Sequence, residues 1–168
     1  MANAQPLRRR RRKDYEVRLV DYETLTLAGI REEVPFLELD GARDRAHHLT
    51  REHLRANDVP AGRNVVVFVS SNTNGFLVVL DCIFGVEVSQ PVPASDDSPV
   101  RVLQLPAGRA AMTTHVGTQA ELMDAHAAVH DWCRSNKIDA TGINWEVHAE
   151  PADDPAQQRV DVYYAVTD

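Results

Sequence analysis

The sequence predicts an α+β domain built as a duplicated β-α-β-β unit, with pseudo-twofold symmetry and a ligand cleft between the halves. Two observations carry this reading. Short stretches recur in the same order at nearly constant offset, and a helix-period pattern sits between strand-period patterns in each half. "VRLVDY" at 17–22 matches "VRVLQL" at 100–105, 83 residues on. "AGRNVVVFVS" at 61–70 matches "TGINWEVHAE" at 141–150, and "LDCIFGV" at 80–86 matches "VDVYYAV" at 160–166, both at an offset of 80.

Within the first half, residues 17–22 alternate apolar and polar side chains, as a strand does. "LTLAGI" at 25–30 reads as the returning strand of a hairpin. Ala42, Ala46, Leu49 and Leu54 mark a helix over roughly 41–56. In the second half, Pro106 and Gly108 place a turn between two β-like runs. Thr118 and Glu121 have the spacing of a capping box. Leu122, Ala125, Val129, Trp132 and Cys133 follow on one helical face. Each half closes with two further strands, so the order is β, β, α, β, β per half.

Composition narrows the class. Of 168 residues, 43% are hydrophobic and 26% charged, as in a folded domain with an ordinary core. No apolar run has the length of a membrane span, and no secretory signal pattern opens the chain. Cys82 and Cys133 follow no metal or disulfide spacing, and reduced thiols in a cytoplasmic protein are the simple expectation. Six consecutive cations at residues 8–13 predict a flexible basic arm over 1–14, ahead of a domain spanning 15–168. The repeats run over about 15–90 and 98–168. Without those six cations, 12 basic residues face 25 acidic ones, a formal charge of −13 in place of −7. That body argues against a broad nucleic-acid surface, leaving only the arm to touch phosphates.

One position stands out. "NWEVHAE" alternates, so Trp145 and Val147 point one way and Asn144, Glu146 and His148 the other. In "VDVYYAV", Val160, Val162, Tyr164 and Val166 share one face, Asp161 and Tyr163 the opposite one. Assigning the apolar faces to the helix-covered core leaves Glu146, His148 and Tyr163 together on the other face. Val66, Phe68 and Ile83 are their first-half counterparts. Glu146 thus takes the slot that Val66 holds in the first copy. A carboxylate there needs a partner, with Tyr163 or His148 as neighbours, or a cationic ligand held by charge and aromatic contact.

The stretch from Leu105 to Glu150 resembles the GyrI-like small-molecule-binding domain, the effector module of multidrug-sensing transcription activators. The cues are the "LPAGR" turn, His115 and Gly117 as "HxG", Leu122 and Trp132 on the helix, and "WEV" at 145–147. Residues 15–34 are similar to the family's opening strands. The resemblance implies a duplicated unit around a central pocket, with Glu146 as the pocket glutamate that meets cationic ligands and Trp145 as its aromatic neighbour. Thr118 and Gln119 stand where the family commonly has a small residue or proline and then tyrosine.

The expected function is therefore a stand-alone binding or sensing domain for a hydrophobic, cationic or amphipathic drug or toxin, without a cofactor. The expected ligand-contacting set is Glu146, Trp145, His148, Tyr163, Phe68, Val66 and Ile83. Two alternatives stand beside it. One is a hydrolase of cyclopropane-type toxins using Glu146 with Tyr163 or His148; the other is a protein that modulates gyrase by contact. His126 and His130 have i, i+4 spacing but no evident third ligand, so no metal is expected and both read as partly exposed helix histidines. "HHLTREH" at 47–53 reads as a solvated helix face. Asp81 and Asp161 fall at equivalent repeat positions and read as hydrogen-bonding residues.

Overall fold

Among the described residues, glycine and short turns break the chain into eight strands and two helices. The computed structural model describes residues 13–167, so all of the predicted arm except Lys13 and Asp14 lies outside the described residues. β1 (Arg18–Tyr22) and β2 (Leu25–Pro35) precede a 3-10 turn at Phe36–Glu38 and α1 (Leu39–Ala56). β3 (Asn64–Asn74) and β4 (Leu77–Glu87) follow, joined through Gly75, whose φ of +64° suits a residue without Cβ. The order then recurs as β5 (Arg101–Leu105), β6 (Gly108–Val116), a 3-10 turn at Gln119–Glu121, α2 (Leu122–Ser135), β7 (Ala140–His148) and β8 (Arg159–Val166).

All eight strands form one antiparallel sheet in the order β1-β6-β8-β7-β3-β4-β2-β5. The expected β1–β2 hairpin does not form. β1 pairs with β6, and β2 pairs with β4 and β5. Tyr22 and Leu25 are only three residues apart, a span of about 10 Å at full extension. They belong to opposite ends of the strand order, so the sheet must curl until its ends nearly meet. The backbone N–H of Ala107 donates to the Thr24 hydroxyl where the two linkers approach (3.3 Å).

The curl gives the sheet two different faces. α1 and α2 cover parts of the outer one. Ala42 and Ala46 of α1 pack with Val34, Val66, Cys82 and Phe84. Leu122, Ala125, Val129 and Cys133 of α2 pack with Ala111, Val160 and Val162. The inner face closes on itself: Val65, Val67, Trp145 and Val147 from the centre meet Val20, Tyr22 and Leu105 from the ends. Trp145 stacks on Tyr163 with ring centroids 5.1 Å apart and planes 4° apart, and Tyr22 meets Trp145 edge-on at 4.8 Å.

Two expectations are corrected by the structure, one of a solvent-facing residue and one of repeat equivalence. His47 is buried, with Nε2 3.2 Å from the Val65 carbonyl and the ring edge-on to Phe84. The residues around it, His48 and Glu52, do form an exposed pair. His47 falls on the sheet side of α1, one turn beyond Arg43 and next to Ala46. The expected equivalence of Asp81 and Asp161 also fails in register. Asp161 lies opposite Val147, whereas Asp81 lies opposite Ser70, beyond a bulge between Phe68 and Ser70. Asp81 accepts two hydrogen bonds from Arg31; Asp161 accepts one from the Thr114 hydroxyl and a longer one from Arg159.

Gly29 marks the tightest approach in the sheet. A Cβ there would lie 2.4 Å from the Phe84 carbonyl oxygen and 2.7 Å from the Gly85 Cα, both backbone atoms with nowhere to move. Gly29→Ala is therefore expected to destabilise the fold by about 3 kcal/mol or more, read as a lowered urea midpoint. An unchanged midpoint would contradict the β2–β4 register.

Candidate functional site

A groove of about 610 Å³ opens on the outer face between the starts of the two helices, over the central strands. Its walls are mainly apolar: Phe36, Leu37 and Leu39 on one side, Leu122 and Met123 on the other, with Phe68 and Leu80 between. Phe36, Leu37 and Met123 are 46%, 89% and 57% exposed. Side-chain bonds hold the entry to α2. The Thr118 N–H donates to the Glu121 carboxylate (3.2 Å), and Lys13 Nζ donates to that carboxylate and to the Val116 carbonyl. His115 of the "HxG" stretch is a buried brace: Tyr15 lies 2.8 Å from its Nδ1 and the Thr118 carbonyl 3.0 Å from its Nε2.

Glu146 lies at the groove's floor and is 5% exposed. Both carboxylate oxygens are engaged. His126 Nε2 is 2.8 Å from Oε1, and His148 Nε2 is 2.9 Å from Oε2. A carboxylate only accepts, so each imidazole donates through Nε2–H. In neutral His126, Nδ1 is then an acceptor, filled by the Tyr164 hydroxyl at 2.9 Å. The result is a chain Tyr164–His126–Glu146–His148. Burial alone raises the Glu146 pKa, but the hydrogen bonds and charge of His126 and His148 outweigh it and hold the group at about 2. Burial, with the nearby Glu146 charge, pushes Tyr164 up to about 12.

Strand pairing explains where each predicted residue falls. Glu146 lies directly opposite Val66 on β3 and Val162 on β8, so these three side chains share the outer face. Phe68 lies opposite Asn144 on the same face, and His148 opposite Val160. Of the expected set, Glu146 and Phe68 line the groove, His148 holds the carboxylate from behind, and Val66 is buried under α1. Trp145, Tyr163 and Ile83 are on the inner face. Tyr163 and Glu146 therefore do not meet; the phenol near the site is Tyr164. The error came from assigning the apolar face of β7 to the helices.

His126 also differs from expectation. It is buried at 9% exposure, whereas the His130 side chain is 64% exposed. The helical spacing of Leu122, His126, Val129 and Cys133 marks one face, which is the signal that places His126 inward. Tyr164 likewise falls on the β8 face with Val160 and Val162. Phe36 and Leu37 had no periodic signal, because they belong to a 3-10 turn. Among the described residues, no group of three His, Cys, Asp or Glu has the arrangement to hold a metal ion.

The match to the model of the GyrI-like small molecule binding domain covers residues 15–167, and the chain belongs to that family. Solved structures agree in fold. The EcmrR–DNA complex matches with a TM-score of 0.75 at 15% identity, over 90% of this chain and 57% of that one. This chain thus spans little more than half of that EcmrR chain. The EcmrR C-terminal domain matches at 0.72 and 16%, over 91% and 98%. SAV2435, solved bound to tetraphenylphosphonium, matches at 0.64 and 14%, over 90% and 94%. A Listeria innocua hydrolase encoded by lin2189 matches at 0.60 and 10%, over 90% and 92%. No curated protein matches the sequence. No helix among the described residues is long and apolar enough to cross a membrane.

Proposed function

We propose that the protein captures or senses a hydrophobic, cationic or amphipathic small molecule, drug or toxin, in the groove above Glu146. The observation that carries this is a buried carboxylate, gripped by two histidines, at the floor of an otherwise largely apolar groove. Apolar walls supply affinity without fixing shape, and the carboxylate supplies a charge preference. Tetraphenylphosphonium in SAV2435 is a lipophilic cation of the expected kind. The unit is read as one domain from residue 15, a duplication about a pseudo-twofold axis at the Val66–Glu146 pair. Strand order supports this: exchanging each strand with its counterpart four places on reverses the order onto itself. The two unpaired, buried cysteines fit a reducing, cytoplasmic setting.

A hydrolytic reading is favoured by one specific feature, the Tyr164–His126–Glu146 chain beside the groove. In it Tyr164 replaces Tyr163 as the candidate proton donor, acting on a cyclopropane-type toxin. Contact with gyrase is the third outcome. Calorimetry with tetraphenylphosphonium decides first: saturable one-to-one binding supports capture, and absence of binding refutes the cation reading. Incubation of reactive cyclopropane compounds with the protein, followed by mass spectrometry, separates binding from turnover. Gyrase protection without any ligand would move the function to a protein surface.

A further inference from the structure

The carboxylate at the floor of the groove does not meet a ligand alone. Its charge is read together with that of the two histidines that grip it. Both can gain a proton without losing a hydrogen bond. If His126 is protonated, its Nδ1–H donates to Tyr164, and the Tyr164 hydroxyl reverses from donor to acceptor. The hydroxyl hydrogen is then free to turn to the groove, which Tyr164 lines. His148 has its second ring nitrogen free of protein partners among the described residues. It lines a separate cavity of about 170 Å³ behind the carboxylate, with Arg51, Arg63, Asn64, Glu150 and Gln158. A proton therefore reaches or leaves His148 without passing through the ligand groove.

We propose that His126 and His148 determine which ligand charge the groove accepts. With both neutral, the floor carries the full charge of Glu146 and takes a cation. With His126 protonated, the floor is neutral and the freed Tyr164 hydroxyl can donate to a neutral acceptor such as a phosphoryl or carbonyl oxygen; with His148 protonated, the floor is neutral and Tyr164 stays on His126. This deepens, and rests on, the reading of the groove as a site for cations. Bound cation and bound proton must oppose each other by the same factor in both directions.

Other charged groups near the pair act steadily. Asp40 at the groove rim is paired with Arg43. Behind His148, Arg51 is tied to Asn64 and the Gly62 carbonyl, and Arg63 to Glu87; Glu150 completes that wall. His47 of α1 is near enough to feel the charge of His148, and burial keeps it neutral down to about pH 4. Cys82 and Cys133 stay as thiols, since burial raises both. That leaves His126 and His148 as the groups at the floor whose second ring nitrogen can take a proton while Nε2 keeps its bond to Glu146.

The test uses the full chain with tetraphenylphosphonium and the neutral triphenylphosphine oxide from pH 5.5 to 8.5. Cation affinity is expected to rise on the order of tenfold with pH, while the phosphine oxide shows no such gain. The double variant His126→Gln, His148→Gln keeps side-chain donors at both places and should flatten the cation profile to within about twofold. Histidine ring shifts followed by NMR in the ligand-free protein give a second readout. A flat wild-type profile, an unchanged slope in the double variant, or ring shifts constant over the whole range would each overturn the proposal. Failure of the cation to bind at any pH is distinct: it removes the cation reading of the groove, and the proposal with it.

Discussion

Glu146→Gln is expected to weaken tetraphenylphosphonium by about ten- to hundredfold at pH 8, the range of a charged interaction worth about 1.5–3 kcal/mol. Triphenylphosphine oxide should lose much less, because its binding rests on the apolar walls. The glutamine can be accommodated. Its oxygen accepts from His126 Nε2–H, and its NH₂ donates to His148 once that ring moves its proton to the nitrogen facing the rear cavity. Removing a buried charge by itself favours stability. The bonds from His126 and His148 oppose that. Glu146 is held at about 2, below its ordinary value of 4.5, so its charged form is stabilised by folding. The variant should lose stability at pH 7, by roughly 1–3 kcal/mol, because two charge-assisted hydrogen bonds become neutral ones. Matched calorimetry and urea unfolding separate the two effects. Equal losses for cation and phosphine oxide would mean that Glu146 only braces the histidines.

The second large effect is acid sensitivity from His47. Burial lowers its pKa from 6.5 to about 4, against the smaller opposing effect of the Val65 carbonyl. Between these values the unfolded chain binds a proton that the folded protein refuses. Stability is therefore complete above about pH 6.5 and falls as pH drops towards 4. From pH 7 to 4.5 the loss from His47 is about 2.5 kcal/mol. Glu146 adds little in that window, because its contribution is lost only as pH falls from about 4.5 towards 2. His47→Gln keeps a donor for the Val65 carbonyl and removes the titration. Urea midpoints at pH 7 and 4.5 should move much less in that variant. The same pH slope in variant and wild type would assign acid sensitivity elsewhere.

Much of the architecture was legible in the chain. The strand and helix order followed from periods of two and 3.6, and the helix start at Thr118 followed from its Glu121 partner. The singular Glu146 stood out in the chain, though on the face expected to lie away from the helices, and it and Val66 prove to be direct cross-strand neighbours. The sequence by itself therefore determined the elements, their order and the odd carboxylate. Alternation along a strand says which side chains share a face, but not which face the helices cover. That choice belongs to the curl of the whole sheet. The short Tyr22–Leu25 link brings the sheet's two ends together, and an apolar face enclosed in this way buries Trp145 and Tyr163 without any helix. Only the tertiary structure could then bring His126, 20 residues away, onto Glu146 and set Tyr164 behind it. Cross-strand register and helix docking depend on contacts between distant segments, and no local pattern encodes them.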